Sequence, residues 1–269
     1  MPFVTTDDGA EIYYEDTGGD RPAVLLMHGV FTHSGMWAPQ VESLAPDYRV
    51  VTVDARGHGQ TRDPGIPFNS ARLAQDHWAV LDHLGVQTVV AGGILQGGWV
   101  AMNMALQRKS RVRGLILIGT TAAAYGPAQR AGFENILMGQ WVEGTVPLES
   151  LCPPIAAAQI GGDRERHREP WLREWVAGDR TRWRLAVRCL IDRKSIEDLV
   201  PGITVPALLM RGIGDQVLTN DVMSTLQQQL GGPTQLETIV ADGVTHMCTY
   251  THPELTDPLI RKFLDELPA

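Results

Sequence analysis

The sequence predicts a doubly wound α/β fold: a mostly parallel sheet with helices on both faces and a helical insertion late in the chain. Three observations predict it. Runs such as AVLLMHG (23–29) and YRVVTVD (48–54) are apolar at nearly every position, so each reads as a strand covered on both faces. These runs alternate with stretches of helical period, the mark of βαβ units. The rhythm breaks between residues 122 and 199 and then resumes.

The elements follow in order. A short strand is expected at 3–6, then EIYYED, then the two buried runs. A helix at about 70–84 leads to the strand QTVVAGG, a helix at 97–109 and the strand VRGLILIGT. After the interruption come the strand PALLMRG, a helix at 221–230, the strand QLETIV and a last helix at 254–266. The interrupting segment holds Trp141, Trp171, Trp175 and Trp183 and is locally Arg-rich. Its apolar positions, for example Trp183, Val187, Leu190 and Ile191, recur at helical spacing. It reads as a helical cap (122–199) inserted into a core made of 1–121 and 200–269. Its tryptophans serve either cap–core packing or an aromatic wall over a cavity. Its arginines read as a solvated face with local acidic partners.

Composition narrows the function. The chain has 269 residues, 43% of them hydrophobic, which fits one α/β domain with an insertion. A formal charge of -8 argues against nucleic acid or an anionic membrane as partner. Cys152, Cys189 and Cys248 are far apart, an odd count without a signal segment, and suggest reduced thiols in the cytoplasm. No apolar run has transmembrane length. No HExxH-type pair suggests a metal, and no G-x-G-x-x-G after a strand suggests a dinucleotide. No cofactor is therefore expected, and the oligomeric state is left open.

The most informative stretch is AGGILQGGWVAMNMA (91–105). Gly93 and Gly97 frame a sharp strand-to-helix turn where side chains would strike the neighbouring strand and helix. The following helix aims its free N–H groups and positive dipole end at the apex. The apex residue is Leu95, which cannot act as a nucleophile.

LLMHGVFTHSGMW, VVTVDARGHGQT, GILQGG, RGIGDQV and GVTHM occur in an order and at intervals that resemble the α/β-hydrolase superfamily, in its small, capped, esterase- or lactonase-like form. The resemblance covers the whole chain. It implies that position 95 is the nucleophile position of a G-x-S-x-G-G elbow. It also implies that His246 is the general base, that Asp215 orients it, and that the N–H groups of Val30 and Gln96 form an oxyanion hole. Phe31, Trp141 and Trp183 are expected to contact substrate, a small, mostly apolar carbonyl compound such as an ester or lactone. His28 and His58 are expected to shape their turns. Neither Ser34 nor Cys248 is read as the missing nucleophile.

Three readings of Leu95 stand open. The parent protein has serine there and this chain is an inactive or altered form. Alternatively, leucine is native to a lyase, cyclase or cofactor-free oxygenase that uses His246–Asp215 as base. Or the chain only binds a ligand, although a pure binder has no need of that pair.

Overall fold

A computed structural model describes residues 2–268. One eight-stranded sheet runs through it in the order β1-β2-β4-β3-β5-β6-β7-β8. β1 (Phe3–Thr5) and β2 (Glu11–Asp16) are antiparallel to their neighbours; from β4 (Arg49–Val53) to β8 (Thr234–Ile239) the strands are parallel. Every residue of β3 (Ala23–Met27), β5 (Val89–Ile94) and β7 (Ala207–Gly212) is buried, as strands covered on both faces require; in β7 this includes Arg211, whose side chain donates to the Leu218 and Asp215 carbonyls. β6 (Val112–Ile118) completes the centre.

Helices pack on both faces. α1 (Ala38–Leu44) begins with a proline in its first turn, where the missing N–H is harmless. α2 (Ser70–His83) is capped by the Asn69 side chain, which accepts the Arg72 N–H at 2.9 Å. α3 (Gln96–Gln107) follows β5 with no loop between them beyond Leu95. Gly98 on α3 lies so close to Thr120 that a Cβ there would sit 2.7 Å from its methyl.

Between β6 and β7 lie α4 (Pro127–Phe133), α5 (Leu148–Gln159), α6 (Glu169–Ala177) and α7 (Arg184–Ile191), with π-helical turns at Glu134–Val142 and Arg164–Arg168. The Ile196 N–H bonds the Ala122 carbonyl at 3.0 Å and ties the two ends of this segment together. Four of its ten arginines meet local acids, in Arg130–Asp192, Arg164–Glu169, Arg184–Glu143 and Arg188–Glu134, while Arg180 and Arg182 bond backbone carbonyls. α8 (Asn220–Gln229), the single turn α9 (Cys248–Thr251) and α10 (Pro253–Glu266) end the chain. α1 and α9 are elements the sequence reading lacked, because each is too short to show a helical period. Among the described residues no helix is long and apolar enough to cross a membrane.

The parallel strands all point their C-terminal ends to one edge of the sheet. A doubly wound sheet opens its crevice at that edge, where the strand order reverses on either side of β3.

Candidate active site

Leu95 sits at the apex between β5 and α3 with φ 49° and ψ -107°. A positive φ is strained for a residue bearing a Cβ, at on the order of 1–3 kcal/mol. Neighbours hold it there. The Leu95 N–H bonds the Ile118 carbonyl at 3.1 Å, and the Leu95 carbonyl accepts the Thr120 hydroxyl at 2.8 Å and the Trp99 N–H at 3.1 Å. The framing glycines are sterically required. A Cβ on Gly93 would lie 2.3 Å from the Gly97 carbonyl carbon, and one on Gly97 would lie 2.1 Å from the Met27 carbonyl oxygen.

Phe31, on the loop after β3, is the other non-glycine residue with positive φ, at 68°. It too is clamped. Its N–H bonds His58 Nε2 at 3.2 Å, its carbonyl accepts the Trp175 indole N–H at 2.7 Å, and its ring stacks on Trp141 at 4.0 Å. With Phe31 N–H engaged by His58, the preceding Val30 N–H has no hydrogen-bond partner among the described residues. Gln96 N–H lies in the first turn of α3, where no intrahelical acceptor exists.

His28 and His58 serve as structural pegs. His28 Nδ1 donates to the Gly29 carbonyl at 2.7 Å and Nε2 accepts the Ala55 N–H at 2.9 Å. His58 Nδ1 donates to the Arg56 carbonyl at 2.9 Å. Burial pushes His28 down to about 4 and His58 well below the ordinary range, so both are neutral and keep one acceptor nitrogen.

His246 Nδ1 and Asp215 Oδ2 are 2.6 Å apart and both side chains are buried. The other carboxylate oxygen of Asp215 accepts the N–H groups of Val217 at 3.0 Å and Leu218 at 2.9 Å. Burial alone would raise the Asp215 pKa. The charge and hydrogen bond of His246, with those two N–H groups, outweigh it and bring the carboxyl down to about 2. The ionised carboxylate therefore accepts a hydrogen bond from Nδ1–H, and Nε2 of His246 has no partner among the described residues. Gly119, at the end of β6 with φ 44°, makes room for the pair: a Cβ there would lie 2.7 Å from the His246 ring.

Leu95, Val30, Phe31 and His246 share one cavity of about 310 Å3. Leu137, Ile155, Trp175 and Leu190 roof it from the inserted segment. The expectation for the aromatic residues needs correction. Phe31 lines the cavity, but Trp141 and Trp183 do not: both are buried behind Phe31, at ring distances of 4.0 and 5.3 Å. Trp175 is the tryptophan on the wall, and the sequence reading did not single it out. Its indole-to-backbone bond has no sequence signature. Gly119 was also missed, though a glycine ending a buried strand could have marked it. Ser34 and Cys248 lie outside the cavity; the Ser34 N–H is bound to Asp54, and burial lifts the Cys248 thiol to about 12.

Comparison with known proteins agrees with this architecture. Residues 22–148 match the family model described as alpha/beta hydrolase fold. A non-heme haloperoxidase from Rhodococcus erythropolis is 30% identical over 81% of this chain and 83% of its own length. The enol-lactonase from Burkholderia xenovorans LB400 superposes with a TM-score of 0.82 at 25% identity, over 98% of this chain and all of that one (100%). A thermophilic esterase from Thermogutta terrifontis shares the fold at 24% identity and TM-score 0.82, over 98% of this chain and 97% of that one.

Proposed function

The chain belongs to the alpha/beta hydrolase fold family, and on that premise we propose that its cavity is an acyl-transfer site for a small, mostly apolar ester or lactone, lacking only the nucleophile. The observation that carries the reading is the strained apex at Leu95, opening into the same cavity as a His246 already paired with Asp215. Nothing in leucine's own chemistry calls for φ 49°. That conformation serves to present a side chain to a reacting carbon.

In this reading the Val30 and Gln96 N–H groups hold the negative charge that grows on a substrate carbonyl oxygen. His246 Nε2 is placed to take a proton, and Asp215 steadies the imidazolium that results. Residues 122–199 act as the cap that closes the apolar cavity. With leucine at the apex no acyl-enzyme bond can form at residue 95. The test is Leu95→Ser, assayed on short p-nitrophenyl esters and a panel of small lactones, with Leu95→Ser/His246→Ala as control. Hydrolysis by the first variant and not the second supports the reading; a well-folded Leu95→Ser protein that hydrolyses none of them overturns it.

A second reading is favoured by the retained His246–Asp215 pair. In it the unaltered chain uses His246 as general base without a covalent step, the oxyanion donors holding an enolate or alkoxide. Turnover of a carbonyl substrate by the unaltered chain, abolished by His246→Ala, supports it. Turnover that survives His246→Ala overturns it.

A further inference from the structure

Arg193, just beyond the C-terminal end of α7, is 8% exposed and forms no hydrogen bond or ion pair with the described residues. Its guanidinium lies against two rings, Trp99 at 4.1 Å and Tyr125 at 3.9 Å. Nε and Nη1 are sealed and unpartnered, and Arg193 itself does not line the cavity. The neighbouring acid, Asp192, is taken by Arg130. Burial raises the Cys189 thiol to about 11 and also raises the Tyr125 phenol, so neither supplies a negative charge at neutral pH. The carbonyl end of α7 offers only the partial charge of a helix terminus. A buried guanidinium normally has a carboxylate or phosphate matched to its fork.

Arg193 is also close to the reactive end of the fold. Trp99 lies one turn along α3 from Leu95 and donates its N–H to the Leu95 carbonyl. The Gln96 side chain donates to Cys189 Sγ at 3.3 Å, tying α7 to the start of α3. Tyr125, which covers the guanidinium, lines the cavity, as does Leu190 on α7. One aromatic ring therefore separates this cation from an otherwise apolar wall. A turn of the Tyr125 ring away from the guanidinium would join Arg193 to the cavity, and an anion there would meet a cation already held against Trp99.

We propose that Arg193 is a specificity-determining residue of the cavity, holding the carboxylate of a substrate whose ester or lactone carbonyl lies at Leu95 and His246. The inference rests on the acyl-site reading and names its substrate class: an apolar ester or lactone bearing one remote carboxylate. Leucine at the apex makes the unaltered chain a clean binding reagent. Monoethyl esters of glutaric, adipic, pimelic and suberic acids are titrated calorimetrically, each against the ethyl alkanoate of the same chain length. At least one monoethyl ester binds about ten-fold or more tightly than its neutral partner, the gain expected of a charge-assisted contact in a dry site. In Arg193→Gln that ratio falls towards one. Arg193→Met, which keeps an unbranched apolar stem but removes the charge, gives the same loss and covers the case in which the glutamine variant does not fold. Equal binding of charged and neutral esters, or a preference that survives both substitutions, overturns the proposal alone. Binding of neither series overturns it together with the acyl-site reading.

Discussion

The elbow at Leu95 and the arm that carries His246 face the same cavity, and they are held in different ways. The elbow is a backbone device. Gly93 and Gly97 leave no room for side chains, and Leu95 is pinned through its own N–H and carbonyl. None of these restraints uses the residue-95 side chain. The arm depends on side chains and on the inserted segment. Asp215 fixes the imidazole, while Gly162 N–H on Gly243 O at 2.8 Å and Met247 N–H on Gln159 O at 3.0 Å bind the loop to the end of α5. The difference explains how leucine can stand at the apex without disturbing anything else. A backbone frame does not depend on the side chain it presents, whereas removing either half of a buried histidine–carboxylate pair leaves a polar group unpaired.

The largest expected effect sharpens this contrast. Leu95→Ser should raise ester or lactone hydrolysis from background by on the order of a million-fold, the span lost when a triad serine is removed. Rates are compared by p-nitrophenolate release, and melting temperatures within a few degrees of each other show that the frame is indifferent to residue 95. Next in size, adding Asp215→Asn to Leu95→Ser should lower kcat by roughly 10^4-fold, through the wrong imidazole tautomer. A loss of less than ten-fold would mean that the arm does not depend on its acid.

The packing behind the Phe31 loop comes third. Trp141→Ala should destabilise the protein by about 3–5 kcal/mol in urea unfolding, since Trp141 is fully buried and backs Phe31 without touching the cavity. A change in substrate preference with unaltered stability would place this tryptophan on the wall after all.

The smallest effects are pH-dependent. The folded-state pKa of His28 is depressed to about 4 from 6.5, so the unfolded chain binds the proton first. Its contribution is complete above about pH 6.5 and is lost as pH falls towards 4. Asp215, depressed to about 2 from 3.8, contributes above its unfolded value and loses that contribution between about pH 4 and 2. His28 is worth on the order of 3 kcal/mol and Asp215 on the order of 2 kcal/mol. Asp215→Asn should flatten the stability curve in the lower window alone, and His28→Gln in the upper one alone, as read by urea midpoints across pH.

What the sequence made legible follows the same division. The elbow and the D-x-R-G-H-G loop are specified by glycines, whose steric reasons are local, and their place in the fold could be read directly. The buried strands were legible because parallel sheets demand apolar residues on both faces. The inserted segment was legible as helical, but not in its contacts. Four tryptophans carry the same letter, and only packing distinguishes Trp175, bonded to the Phe31 carbonyl on the cavity wall, from Trp141 and Trp183 behind it. Arg193 was likewise hidden in an arginine-rich stretch whose other members are mostly solvated. The absence of a protein acceptor for a buried cation appears only in three dimensions.

If the acyl-site proposal holds, residue 95 alone separates this site from a working acyl-transfer centre. The most direct measurement is intact-protein mass spectrometry after incubation with an aryl alkylphosphonate, which reports covalent attack without needing the true substrate. One adduct per chain is expected on Leu95→Ser, located to residue 95 by peptide mapping, with no adduct at that position on the unaltered chain or on Leu95→Ser/His246→Ala. A folded Leu95→Ser protein that stays unmodified, or an adduct that forms equally without His246, would contradict it.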